Sequence, residues 1–349
     1  MAYAQNINIG AKSIGIGKDI FLAAEVGTMH NGSLETAKKL VDAAVFAGLD
    51  AVKFQIIGAE EIHSDRSQTY TYKTYDGQTK SESIVEMLKK YQFTLDQWKE
   101  LKEYADQKGT IFFVSVDYPG AIEIGEAIGS PAYKICAWDL NYYPFIRKVA
   151  RLQKPVVFDM GTVEEEGVKK ILGIFQEERN DKIILLHSFH TDNYEEMNMK
   201  SIVYLRDTFG VLAGYSAPNR NFDIDVLALA FDPVMIEKRL TLNKSDSAHH
   251  HALALEPEEM RQYVQEVRKL QSALGKEGVF PSKGDLEGTT KYFRRIVATC
   301  GIKKGEKFTP ENIDCKRPSE GGLDPALYET VLGNVAKQDF KENEPISIA

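Results

Sequence analysis

The sequence predicts an α/β protein: a (β/α)8 TIM barrel followed by a small β-rich domain. Three observations carry this prediction. Eight short runs are apolar nearly throughout, as expected of parallel strands buried on both faces. Amphipathic stretches at helical spacing separate them. After Gly275 the pattern changes to short strands and frequent turns. An open doubly wound sheet is the alternative for the first part, but no glycine-rich dinucleotide turn follows the first run.

The elements follow in chain order. INIGAKSIGIG (7–17) alternates apolar with small or polar residues around Ala11–Lys12 and reads as a hairpin placed to plug the barrel floor. The strands are read at 21–27, 51–55, 110–116, 132–138, 155–161, 182–188, 211–216 and 234–240. SLETAKKLVDAAVFAG is a helix with Ser33 as N-cap, Thr36, Leu40 and Ala44 on one face, and a stop at Gly48. PEEMRQYVQEVRKLQSALG is the last barrel helix. FPSKGDLEGTT is turn-rich and reads as a linker. The expected domains are therefore 1–280 for the barrel with its capping hairpin, 281–290 for the linker and 291–349 for the β-rich domain. In the last, IKKGE and FKENE look like two versions of one turn. So small a domain needs packing support from a partner surface.

Composition narrows the function. The 349 residues are 43% hydrophobic and 27% charged, enough for a large core. A net charge of -8 disfavours nucleic acid, which needs clustered positive surface. No run approaches about 18 apolar residues, so no membrane span is expected. Cys136, Cys300 and Cys315 share no metal-type spacing and are odd in number. Cytoplasmic localisation with reduced thiols is the expectation.

In such a barrel the chemistry lies at the C-terminal strand ends. Those ends carry Glu25; Lys53 and Gln55; Ser115 and Asp117; Lys134 and Asp139; Asp159; His187, Ser188 and His190; Ser216; and Glu237, Lys238 and Arg239. Polar residues scattered for structural reasons would fall on both rims, whereas these share one. Lys53 and Lys134 stand inside apolar strands, where an unpaired ammonium is costly. They grip an anionic substrate, or each pairs with a carboxylate, Lys134 with Asp159 for example. A Schiff-base lysine is a third option that nothing in the sequence selects. His249, His250 and His251 are consecutive and cannot converge on one ion without unusual backbone, so they read as a rim loop.

FLAAEVGTMHNGSLETAKKLVDAAVFAGLDAVKFQ, SPAYKICAWDLNYYPFIRKVARLQKPV, and the short stretches IKKGE, DCKRPSEGG and LYETVLG resemble the sialic acid synthase family. The last three resemble its C-terminal antifreeze-like (SAF, β-clip) domain. The resemblance covers essentially the whole chain. It implies condensation of phosphoenolpyruvate with an N-acetylated amino sugar to a nine-carbon acidic sugar. It also implies a divalent metal, usually manganese, and a swapped homodimer whose small domain lends an arginine to the other chain. Residue by residue, Glu25, His30, Asn31 and Gly32 match the first motif. Lys53, Gln55 and Lys134 match positions that hold phosphoenolpyruvate; Ser115 stands where a threonine binds it, and Ser216 matches a phosphate-side serine. Asp139 replaces a glutamate, and Arg317 matches the lent arginine.

The departures are equally informative. The family's two metal histidines fall on Pro218 and Arg239, neither of which can replace imidazole. Two phosphoenolpyruvate-contacting serines fall on Ala137 and Asp159, the amino-sugar loop is shortened to HTDNYEE, and an aspartate falls on His250. The inherited metal site is therefore expected to be gone; manganese or magnesium remains an option only at a relocated site built from Asp117, Asp159, His187 and Glu237.

The leading expectation is a synthase-like enzyme without the usual metal. Its catalytic residues are Glu25, Lys53, Lys134, Asp139 and Arg239, with Arg239 substituting for the metal in polarising a carbonyl. Gln55, Ser115, Asp159, His187, Ser216, His250 and Arg317 are the expected substrate-binding residues. The alternatives are the same scaffold with a changed substrate, as a lyase, isomerase or hydrolase, and a catalytically retired sugar-binding paralogue.

Overall fold

The computed structural model describes residues 2–347. The chain divides into two units between Gly275 and Lys276.

Eight parallel strands close the barrel of the first unit: β3 (Phe21–Gly27), β4 (Ala51–Ile56), β7 (Ile111–Val116), β8 (Tyr133–Ile135), β9 (Val156–Asp159), β10 (Ile183–His187), β11 (Leu212–Ala217) and β12 (Met235–Arg239). All eight predicted runs are strands, and β12 pairs with β3 to complete the ring. The antiparallel pair β1 (Asn6–Ile9) and β2 (Lys12–Gly15) precedes them. Its Ile7, Ile9 and Ile14 pack with the inward residues Phe21, Ala23, Ala51, Phe113, Ala132, Val157, Ile184, Leu186, Leu212 and Met235. These side chains fill the N-terminal end, so the barrel is a packed core there rather than a pore. A second, larger core lies between the strands and the surrounding helices.

The first helix, Leu34–Ala47, begins where Ser33 accepts the amide of Thr36 and ends at Gly48 in the left-handed region. Just before it the chain turns sharply at Gly32, with φ of +77°. A Cβ at Gly32 would be driven into the carbonyl oxygen of Lys90. Gly32→Ala is therefore expected to cost more than about 1 kcal/mol, read as a lowered urea midpoint at unchanged slope.

One insertion escaped the sequence reading. Between β4 and β7 an antiparallel hairpin forms from β5 (Thr69–Lys73) and β6 (Thr79–Ser83). Tyr72 and Lys80 of this hairpin both donate to the Ser247 carbonyl. The hairpin is thus tied to the loop that follows β12.

In the second unit, β13 (Arg295–Ala298) pairs with β14 (Ile313–Lys316) over a small core that includes Ile302, Phe308 and Phe340. The two similar turns pair with each other: Ile302 and Phe340 exchange backbone hydrogen bonds of 2.9 and 2.8 Å. The turn-rich stretch 281–290, expected as a linker, instead carries most of the helix Lys283–Tyr292. Ser282 and Asp285 make a reciprocal capping box that offsets the helix-weakening Gly284 and Gly288. Among the described residues no helix is long and apolar enough to cross a membrane.

Candidate active site

The site residues are the inward-facing positions one step beyond the packed core. Side chains on a strand alternate faces. Two residues on from inward Ala23 comes Glu25; from Ala51, Lys53 and then Gln55; from Phe113, Ser115; from Ala132, Lys134; from Val157, Asp159; from Met235, Glu237 and then Arg239. The apolar filling thus gives way to charge at the C-terminal mouth. A cavity of about 500 Å³ opens there. Glu25, Lys53, Gln55, Asp117, Lys134, Asp139, Asp159, Ser216, Glu237, Arg239 and His250 all line it.

The charges are paired. Lys53 forms an ion pair with Glu25, donates to Ser115 Oγ at 2.9 Å and stands 3.8 Å from Glu237. Lys134 donates to Glu237 Oε2 at 2.7 Å. Its partner is therefore Glu237 and not Asp159, because β12 carries its carboxylate to the same level across the barrel. Both lysines are fully buried. Burial, reinforced by Lys134, pulls Lys53 below the usual lysine range against the attraction of Glu237. For Lys134 burial acts the same way, but Glu237 and Asp159 outweigh it and raise its pKa. Ser115 lies behind Lys53, fully buried, and positions that ammonium.

Asp159 accepts a hydrogen bond from Ser188. Arg239 donates to the Pro218 carbonyl. Pro218 and Arg239 are thus joined to each other by a guanidinium. Next along β12, Lys238 faces outward, pairs with buried Asp225 and donates to the Asn219 carbonyl at 2.7 Å. Two cations from β12 therefore pin the loop after β11.

The rim is aromatic. Trp138 is 71% exposed, and its ring centroid lies 4.9 Å from that of His190. Opposite elements bring Tyr70 of β5 and His249 together, with His249 Nε2 3.0 Å from the Tyr70 hydroxyl. His249 and His250 lie ring against ring, His250 at φ of +71°. Burial, with Arg239 adding to it, keeps both imidazoles neutral and takes His249 down to about 3. The sequence reading passed over Tyr70 and Trp138. The alternating tyrosines of TYTYK were the available signal for a two-sided strand.

Two expectations are corrected, and His30 of the first motif lies away from the cavity. It is fully buried among Phe54, Tyr91 and Phe93, and its Nδ1 accepts the amide of Gly32, so it shapes the turn. His187 does not reach the main cavity. It lies one position out of phase with the inward residues, bonds to the Met197 carbonyl at 2.8 Å and lines a separate cavity of about 420 Å³. The relocated metal group of Asp117, Asp159, His187 and Glu237 is consequently not assembled. Glu237 is engaged by two ammonium groups, and among the described residues no three His, Cys, Asp or Glu side chains are placed to hold a metal. The donor set around Arg239 and Pro218 does not fit one either. Arg317 belongs to the second unit, where its Nε donates to the Tyr292 carbonyl at 2.8 Å.

A closed (β/α)8 barrel with paired cations and carboxylates at its C-terminal mouth defines a barrel enzyme for a small polar substrate. More particularly, the chain belongs to the NeuB family, which it matches over residues 40–278, and it matches the SAF domain over 293–349. It is 30% identical to the N,N'-diacetyllegionaminic acid synthase of Campylobacter jejuni, over 94% of this chain and 99% of that protein. It is 32% identical to the pseudaminic acid synthase of the same organism, over 93% and 94%. Its fold resembles that of the N-acetylneuraminic acid synthetase of Leptospira borgpetersenii, solved with citrate. The TM-score is 0.73 at 24% identity, covering 82% of this chain and 96% of that one.

Proposed function

We propose that the chain condenses phosphoenolpyruvate with a sugar aldehyde to form an acidic sugar, and that it does so without a metal. The observation that carries this reading is the convergence of Lys53, Lys134 and Arg239 on one cavity beside Gln55 and Ser216. Two lysines suit a phosphorylated carboxylate and leave the guanidinium for a developing oxyanion, and the synthases among its relatives make acids of this kind. The lysines hold the carboxylate and phosphate. The π electrons of phosphoenolpyruvate form a bond from its C3 to the aldehyde carbon, and the carbonyl pair moves to oxygen, facing the Arg239 guanidinium. Water adds to C2, giving one proton to Glu25 or Asp139, and the C2–O bond to phosphate breaks as the new C2 hydroxyl becomes the ketone and passes its proton to the leaving phosphate. Arg317, from the second unit of a partner chain in a swapped homodimer, completes the anion site. The three free cysteines fit action in the cytosol.

The test is calorimetric titration with phosphoenolpyruvate, then phosphate release with a panel of N-acetylated aldoses, each with and without manganese or a chelator. Binding and release unchanged by chelator support the proposal. A second reading, the same barrel with another substrate, is favoured by the fact that Lys53 and Lys134 already face glutamates. Absence of phosphoenolpyruvate binding under every condition selects it.

A further inference from the structure

A barrel that polarises an aldehyde without a metal still needs a proton for the developing alkoxide. Arg239 supplies charge but cannot give up a proton at working pH. The cavity holds a group placed for this. Asp117 follows β7, two residues beyond inward Ser115, and is only 4% exposed. Its Oδ2 accepts a weak hydrogen bond from Gln55 Nε2 at 3.4 Å. Its Oδ1 is fully buried with no partner among the described residues. A buried carboxylate oxygen without a partner is costly, whereas the neutral carboxylic acid removes that charge and keeps a proton to give, and Asp117 lines the cavity. Asp139 lines the same cavity from the short helix Ala137–Asp139, and is half-buried, with access to water.

We propose that Asp117 and Asp139 form an acid–base pair: Asp117 protonates the carbonyl oxygen of the sugar, and Asp139 receives the proton of the attacking water. This rests on the condensation reading above and assigns its proton traffic. Glu25 is the weaker base because it is already the counter-ion of Lys53.

The environments separate the two carboxyls as such roles require. Burial, with Asp139 adding repulsion, pushes Asp117 up to about 8, against opposing pulls from Gln55 and the Gly58 amide. Burial alone lifts Asp139 to about 6. The groups facing Asp117 are Gln55 of β4, the Gly58 backbone and Asp139; Tyr118 is its chain neighbour. At neutral pH one carboxyl holds a proton and the other does not. The proton balance closes within a turnover: the alkoxide takes one from Asp117, water returns one to Asp139, and transfer between the two resets the pair. A neutral Asp117 also leaves the phosphate facing one carboxylate fewer.

Asp117→Asn keeps shape and polarity but not the proton. The variant should bind phosphoenolpyruvate within about two-fold of wild type and lose about 10²–10⁴-fold in kcat. Wild-type kcat should rise with pH through about 6, as Asp139 ionises, and fall through about 8, as Asp117 loses its proton. The alkaline limb should vanish in Asp117→Asn. Carbon-13 NMR of the aspartate-labelled free protein should show one carboxyl titrating near 8 that is missing from Asp117→Asn. An Asp117 that titrates in the ordinary range, or an Asp117→Asn variant with wild-type kcat and an intact alkaline limb, overturns the pair alone. Failure of wild type to turn over any aldose with phosphoenolpyruvate overturns the condensation and the two roles with it.

Discussion

Lys134→Met is expected to lose stability by about 3 kcal/mol or more, because it strands Glu237 in the barrel. Glu237 is 1% exposed, and its remaining cation, Lys53, stands at 3.8 Å and is shared with Glu25. Its Oε1 already lacks a hydrogen-bond partner among the described residues. The double variant Lys134→Met/Glu237→Leu removes both charges and should recover most of the loss. Urea unfolding at constant slope reads the difference. Phosphoenolpyruvate affinity separates structure from function: it should fall at least about 100-fold in both variants, including the one that regains stability. Recovery of affinity along with stability would make Lys134 a structural lysine and remove it from the anion site.

Arg239→Met is expected to leave phosphoenolpyruvate affinity near wild type and to lower kcat by about 10²–10³-fold, the usual cost of losing one group that stabilises a developing oxyanion. Burial lowers the Arg239 pKa, yet a guanidinium stays charged, and Asp159 and Glu237 help hold that charge in place. It is a fixed charge at the mouth, tied to the Pro218 carbonyl. Adding manganese should not restore the rate, because neither methionine nor Pro218 can bind it. If phosphoenolpyruvate affinity falls in step with kcat, Arg239 holds the phosphate rather than the sugar carbonyl.

Much of the site was legible in the chain. Parallel strands buried on both faces announce themselves as apolar runs, and a charged residue late in such a run has nowhere to go but the mouth. Glu25, Lys53, Lys134, Asp159, Ser216 and Arg239 were found that way and all line the cavity. His187 shows how the reading fails. It lies at a strand end, but in phase with Leu185, which packs into the outer core, so it faces away from the cavity. Counting by twos from the inner residues would have excluded it and retained Ser188. His30 has no legible place for a different reason: nothing local shows that Phe54, Tyr91 and Phe93, from three places in the chain, close over its ring. The helix at 283–292 was missed because two glycines outweighed a Ser282–Asp285 cap.

By itself the sequence determined the strand count, the barrel and the gathering of charged residues at one end of its strands. These depend on periodicity and residue type, which are local. Only the tertiary structure decided which charges pair, since Lys134 and Glu237 are 103 residues apart and meet across the barrel. It also decided that Asp117 is buried with an oxygen that has no partner among the described residues while Asp139 reaches water, and that the hairpin of β5 and β6 brings Tyr70 to the rim. Ion pairing and desolvation depend on distance and enclosure in space, and those exist only once the ring of strands has closed.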